Sequence, residues 1–127
     1  MIAVDTSALM AVLLDEPQAR ACMSALESED LVISAGTMAE AMIVARMRNV
    51  GDEMATLLSG LGLEVAPVTA ATAQRVAEVY GRWGKGAHAA SLNFGDCFAY
   101  EVARDRGCPL LYVGHDFSRT DVQSVLR

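Results

Sequence analysis

Short apolar runs alternate along this chain with longer stretches whose apolar residues recur at helical spacing. Ile2-Ala3-Val4, Leu31-Val32-Ile33, Leu63 to Val68 and Leu110 to Val113 are the short runs. Each is unbroken and bounded by polar or turn residues, so each reads as a strand buried on both faces. Between them, helices are predicted over Ser7 to Leu14, from the Asp15-Glu16-Pro17 restart to Glu27, over Thr37 to Arg48, over Gly51 to Leu61, over Ala70 to Trp83 behind a Thr69 cap, and from an Asn93 cap to Asp105. Gly84 to Leu92 reads as a loop, and Gly107-Cys108-Pro109 as a stop and turn. The residues after Thr120 are a candidate fifth strand. Strands alternating with helices predict an α/β domain around a mostly parallel sheet of four to five strands. Right-handed crossovers then bring the ends of the first and last strands together.

Composition narrows this picture. With 127 residues, one domain spanning 1–127 is expected. An apolar content of 53% against 20% charged residues excludes a disordered chain. No apolar run approaches the roughly 18 residues of a membrane span. Asp5 interrupts the apolar N-terminus and no basic region precedes it, so no signal peptide is expected. The three cysteines (Cys22, Cys97, Cys108) lack metal-ligand spacing and read as buried, reduced thiols of a cytoplasmic protein. The net charge of −6 argues against a protein that coats nucleic acid by bulk electrostatics. It still allows an enzyme that grips a phosphodiester through bound metal and a few arginines, and it suits a basic partner.

Four carboxylates carry the candidate chemistry. Asp5 ends the first strand, Glu40 sits in an apolar helical stretch, Asp96 lies in the first turn of another helix, and Asp116 follows the fourth strand. Each has a structural alternative. Asp5 is placed to cap the next helix. Glu40 alone reads as a solvated helix residue, although the apolar run Met38 to Ala45 around it suggests a buried helix in which one glutamate needs a partner. Asp96 stands three residues after Asn93, the reciprocal position of a capping box, and Phe94, Cys97, Phe98 and Tyr100 suggest a buried first turn. Asp116, with Asp121, suits a surface turn. His88 and His115 lie in no catalytic or zinc-ligand spacing and read as packing or surface residues. Trp83 and the helical methionines (Met10, Met23, Met38, Met42, Met47, Met54) read as core. Ligands bind at the carboxyl ends of strands in an open α/β sheet. Massed oxygen ligands there suit Mg²⁺ or Mn²⁺. No Gly-rich dinucleotide loop, Walker lysine motif or Gly-x-Ser-x-Gly elbow competes.

At this point the chain resembles the PIN-domain ribonucleases of the VapC type, the toxin halves of toxin–antitoxin pairs. The matching segments are Val4-Asp5-Thr6-Ser7-Ala8-Leu9, Glu40, Asn93-Phe94-Gly95-Asp96-Cys97-Phe98-Ala99-Tyr100, and Asp116-Phe117 with Thr120-Asp121. The resemblance spans essentially the whole chain. It implies a three-layer α/β/α sandwich and a Mg²⁺- or Mn²⁺-dependent endoribonuclease. Asp5, Glu40, Asp96 and Asp116 carry over as catalytic and metal-binding residues, Thr6 as a hydroxyl that orders the site, and Asp121 as a supporting acid. The family often places an acidic or amide residue where this chain has His115. RNA as substrate, a cognate antitoxin and a homodimer are further implications. Arg46, Arg48, Arg82, Lys85 and Arg119 are candidates for phosphate contact, since the guanidinium fork suits phosphate. Two other readings stand beside this one. A non-catalytic module would keep the fold without turnover. A phosphotransfer domain would want Asp-x-Asp or an acidic pair after the first strand, but Asp5 is followed by Thr6 and Ser7, and Lys85 falls in a loop.

Overall fold

The computed structural model describes residues 1–126. The chain runs β1 (Ile2–Val4), α1 (Thr6–Leu13), α2 (Ala19–Ser28), β2 (Leu31–Ser34), α3 (Ala35–Met47), α4 (Gly51–Gly60), β3 (Glu64–Ala66), α5 (Ala70–Trp83), α6 (Phe94–Arg106), β4 (Leu110–Leu111) and a 3₁₀ turn, η1 (Phe117–Arg119). The four strands form one parallel sheet in the order β3-β2-β1-β4. The C-terminal segment adds only a bridge, Leu110 to Ser124, rather than a fifth strand.

The alternation of side chains along each strand sorts the core into two layers. Ile2, Val4, Leu31, Ile33 and Leu111 pack with Ala8, Leu9, Leu26 and Met54 on the side of α1, α2 and α4. Ala3, Val32, Leu110 and Tyr112 pack on the other face with Val76, Trp83, Val102 and Phe117, under α5 and α6. This is the three-layer α/β/α arrangement. No helix among the described residues is long and apolar enough to cross a membrane.

Four sequence expectations need correction. β3 is an edge strand and Val65 is exposed, so it is not buried on both faces as its apolar run suggested. α3 is not a buried helix. It packs through the small stripe Thr37, Ala41 and Ala45, while Met42, Ile43 and Met47 are 48%, 60% and 76% exposed. A stripe one residue wide at i, i+4 spacing buries one face only, so Met42 and Met47 are not core. Phe94 is likewise exposed, although the rest of the first turn of α6 is buried. Of the cysteines, Cys108 is only half-buried.

Candidate active site

The parallel register brings β1 and β4 side by side, with the Asp5 amide donating to the Leu111 carbonyl at 3.0 Å. The chain turns from β1 straight into α1, and Asp5 is the extended cap residue of that helix. Its Oδ2 accepts the Ser7 amide at 3.0 Å and the Ser7 hydroxyl at 2.5 Å. The capping reading was therefore right for one oxygen. Oδ1 is buried and has no hydrogen-bond partner, an arrangement that costs free energy unless something pairs with it. Burial pushes the Asp5 pKa up to about 6, with the Glu40 charge adding to the rise and the Ser7 bonds opposing it.

Ser7 is a residue the sequence reading passed over. Its hydroxyl also accepts the Val113 amide at 3.0 Å, 106 positions away. One side chain thus holds Asp5 and ties down the segment leading from β4 to Asp116. Sequence gives no signal for this beyond a hydroxyl two residues after the aspartate.

Glu40 reaches the same place from α3. Thr6, the first residue of α1, donates from Oγ1 to Glu40 Oε1 at 2.6 Å. The other oxygen of Glu40 lies against the start of α6. A Cβ placed on Gly95 would sit 1.8 Å from Glu40 Oε2. Only glycine leaves room there for the carboxylate to approach the helix backbone. A negative charge at a helix N-terminus is favourable.

Asp96 belongs to a complete capping box. Its amide donates to Asn93 Oδ1 at 2.8 Å, and its Oδ2 accepts the Asn93 amide at 3.0 Å. Both the cap and the pocket use this residue. Burial raises its pKa to about 7 against the lowering effect of the Asn93 bond, and the charges of Asp5, Asp116 and Glu40 raise it further. Those charges put Asp5, Asp116 and Glu40 in the neighbourhood of Asp96. Asp116 is the exposed member, at the start of η1, and its side chain caps nothing.

The remaining candidates are distributed as follows. Asp121 accepts the Tyr100 hydroxyl and lies 3.4 Å from Arg104, away from the four acids' own bonds. His88 accepts the Ala90 amide and packs edge-on against Trp83, while His115 is exposed. A cavity of about 430 Å³ lies between α5 and α6, lined by Arg75, Glu78, Arg82, Trp83, Glu101 and Arg104. It is separate from the carboxylates, and its buried Glu101 is already paired with Arg75 at 2.8 Å.

Among the described residues, no three histidine, cysteine, aspartate or glutamate side chains close to a spacing that would hold a metal ion as they stand. The hydrogen bonds explain the openness. Thr6 holds Glu40, Ser7 holds one oxygen of Asp5, Asn93 holds one oxygen of Asp96, and like charges keep the groups apart. The donor set is all oxygen, and the unpartnered Asp5 Oδ1 is available within it. That set fits a hard divalent cation such as Mg²⁺ or Mn²⁺.

An open parallel α/β sheet with acids massed at the carboxyl ends of adjacent strands defines the class, and the match to the PIN domain covers residues 2–123. The chain belongs to the PIN-domain family. It is 37% identical to Ribonuclease VapC30 of Mycobacterium tuberculosis, with 96% of each chain covered. It is 38% identical to Ribonuclease VapC of Mycolicibacterium smegmatis, over 96% of this chain and 98% of that one. Among solved structures, its fold is similar to that of Mycobacterium tuberculosis VapC20, described as a sarcin–ricin loop cleaving toxin, with a TM-score of 0.76, 20% identity and 96% of each chain covered. A toxin–antitoxin complex from Klebsiella pneumoniae matches with a TM-score of 0.72 and 17% identity, over 95% of this chain and 93% of that one.

Proposed function

We propose that this protein is a Mg²⁺- or Mn²⁺-dependent endoribonuclease that hydrolyses RNA phosphodiester bonds in the cytoplasm, as the toxin of a toxin–antitoxin pair. The observation that carries the reading is the buried Asp5 Oδ1, without a hydrogen-bond partner among the described residues, near Glu40 and Asp96, whose charges bear on one another. Its relatives are named as VapC ribonucleases, and solved chains of the same fold include a toxin–antitoxin complex. Asp5, Glu40, Asp96 and Asp116 would hold the cation. When bound, it supplies Lewis-acid stabilisation of the charge that develops on the phosphate. Thr6 and Ser7 keep Glu40 and Asp5 aimed inward, so less reorganisation is needed when the cation and RNA arrive. Asp121, after η1, stands apart from the four acids and fixes Tyr100 in α6. A cognate antitoxin and a second copy of the chain are the protein partners in this reading, and Met42, Ile43 and Met47 offer apolar surface for one of them.

Incubation of the protein with a mixed RNA pool tests the reading. Cleavage is expected with Mg²⁺ or Mn²⁺, to stop with chelator, and to fall about 10³-fold, or ~4 kcal/mol in barrier, in Asp5→Asn and Asp96→Asn. Folded variants that cut as well as the parent would overturn it. The open spacing of the acids favours one alternative, a non-catalytic module of the same fold. No cleavage by the parent with either metal would select that alternative.

A further inference from the structure

RNA is a polyanion, and this protein carries a net charge of −6, with four of its 16 acids at the candidate site. A strand approaching such a pocket needs cations beside it. They must stand on the rim, because inside they would pair with the carboxylates. The fold sorts four of the five phosphate-contact candidates into two groups. Arg46 and Arg48 lie six and eight residues beyond Glu40 toward the far end of α3, which places them about 9–12 Å along the helix axis from it. Lys85 and Arg119 meet at the loop that leads into α6, and Arg82, near the end of α5, belongs to neither group because it lines the separate cavity between α5 and α6.

That loop is folded back on itself. The Lys85 amide donates to the Leu92 carbonyl and the Leu92 amide to the Trp83 carbonyl, both at 3.0 Å, and two further bonds from Ala87 and His88 close on the Gly84 carbonyl. Leu92 immediately precedes Asn93, the cap of the helix that carries Asp96. Arg119 comes from the other side. It ends η1, the turn that Asp116 begins, and its Nη1 donates to the Ala89 carbonyl at 3.1 Å. The Arg82 guanidinium lies 4.8 Å above the Trp83 ring. Lys85, Arg119 and Arg82 are all exposed. Among the described residues none of them is in an ion pair, whereas Arg75, Arg104 and Arg106 are.

We infer that Lys85 and Arg119 form the rail along which the phosphates of single-stranded RNA run toward the four acids. The inference rests on the ribonuclease reading above. Arg119 spends one N–H on Ala89, which fixes its direction and leaves the other donors of its fork for a phosphate. Lys85 sits across the loop as a second point charge. The two flank the pocket from the elements that carry Asp96 and Asp116.

The test is the salt dependence of binding of an end-labelled, unstructured RNA oligonucleotide, measured in chelator so that it stays intact, together with cleavage kinetics in Mg²⁺. Each phosphate contact removed should make the slope of log K against log salt shallower by about 0.7. Lys85→Ala and Arg119→Gln should each do so, the second while keeping an amide donor for Ala89. Arg119→Lys should restore the slope, and Arg48→Ala should match the parent. In cleavage, KM should rise several-fold in Lys85→Ala and Arg119→Gln, with kcat within about twofold. Slopes unchanged in both variants, in a parent that binds and cuts RNA, would overturn the rail alone. A parent that neither binds nor cuts RNA would take the ribonuclease reading down with it.

Discussion

Two stretches of α6, little more than a turn apart, treat their acids in opposite ways. At the start of the helix, Asp96 is 8% exposed and has Asp5, Glu40 and Asp116 for neighbours, with no ion pair to a basic side chain among the described residues. In its middle, Glu101 is 5% exposed and is bonded by Arg75. Beside it Asp121 takes the Tyr100 hydroxyl and faces Arg104, and its pKa is lowered first by the Tyr100 bond and then by Arg104 and Arg82. Tyr100 in turn accepts the Trp83 indole N–H, so the network is satisfied from end to end. Acids that hold the fold together are given partners. Asp5, at the end of β1, and Asp96, in the first turn of α6, have pKa values pushed up to about 6 and about 7. Their hydrogen bonds come from neutral donors, and perturbed acids without a paired cation are candidates for a functional site.

This contrast is sharpest in its dependence on pH. Asp5 and Asp96 ionise at about 6 and about 7 in the folded chain, against 3.8 for the free group. Between those values the folded state holds protons that the unfolded chain has released, so stability falls as pH rises from about 4 to 7 and levels off above. Asp5 should account for about 3 kcal/mol of that fall and Asp96 for about 4 kcal/mol. Thermal unfolding of the metal-free protein at pH 5 and pH 7.5 measures it. Asp96→Asn should flatten the slope and stabilise the protein at pH 7.5 while removing activity. Added Mg²⁺ should stabilise the parent at pH 7.5 and not the variant. A parent equally stable at both pH values would break the comparison.

The opposite outcome is expected lower on the helix. Glu101→Gln should lose about 1–2 kcal/mol, because it strips Arg75 of its partner, though the half-exposed guanidinium can turn to water. Cleavage per folded molecule should stay at the parent level. If urea melts showed Glu101→Gln to be stabilising, the assignment of that acid to the fold would be wrong. The smallest effect is reserved for Ser7→Ala. It leaves the Val113 amide without an acceptor and Asp5 without a hydroxyl donor, and should cost ~1 kcal/mol. It should also raise the Asp5 pKa further, since the Ser7 bonds are what hold it down. An acidic limb of the cleavage profile displaced to higher pH would report this, and an unmoved limb would remove Ser7 from the site.

Much of this was legible in the chain. The apolar runs named the four strands, and the caps at Thr69 and Asn93 and the left-handed Gly107 placed α5 and α6 nearly to the residue. Asp5, Asp96 and Asp116 stood out as candidates because strand ends and first helical turns are local features, written in a few adjacent residues, whereas Glu40, inside α3, stood out only as a lone acid in an apolar stretch. Burial was less legible. An apolar stretch such as Met38 to Ala45 does not state which of its faces meets a neighbour, so Met42 and Met47 were misplaced and β3 was not recognised as an edge. The pairing of charges lay wholly outside local pattern. Asp5 and Val113 share one hydroxyl, Glu40 rests on Gly95, and Arg75 rather than a metal meets Glu101. Those contacts join residues distant along the chain, and hydrogen bonds and desolvation act over a few ångströms of space, so only the folded arrangement decides which acid is satisfied and which is left waiting.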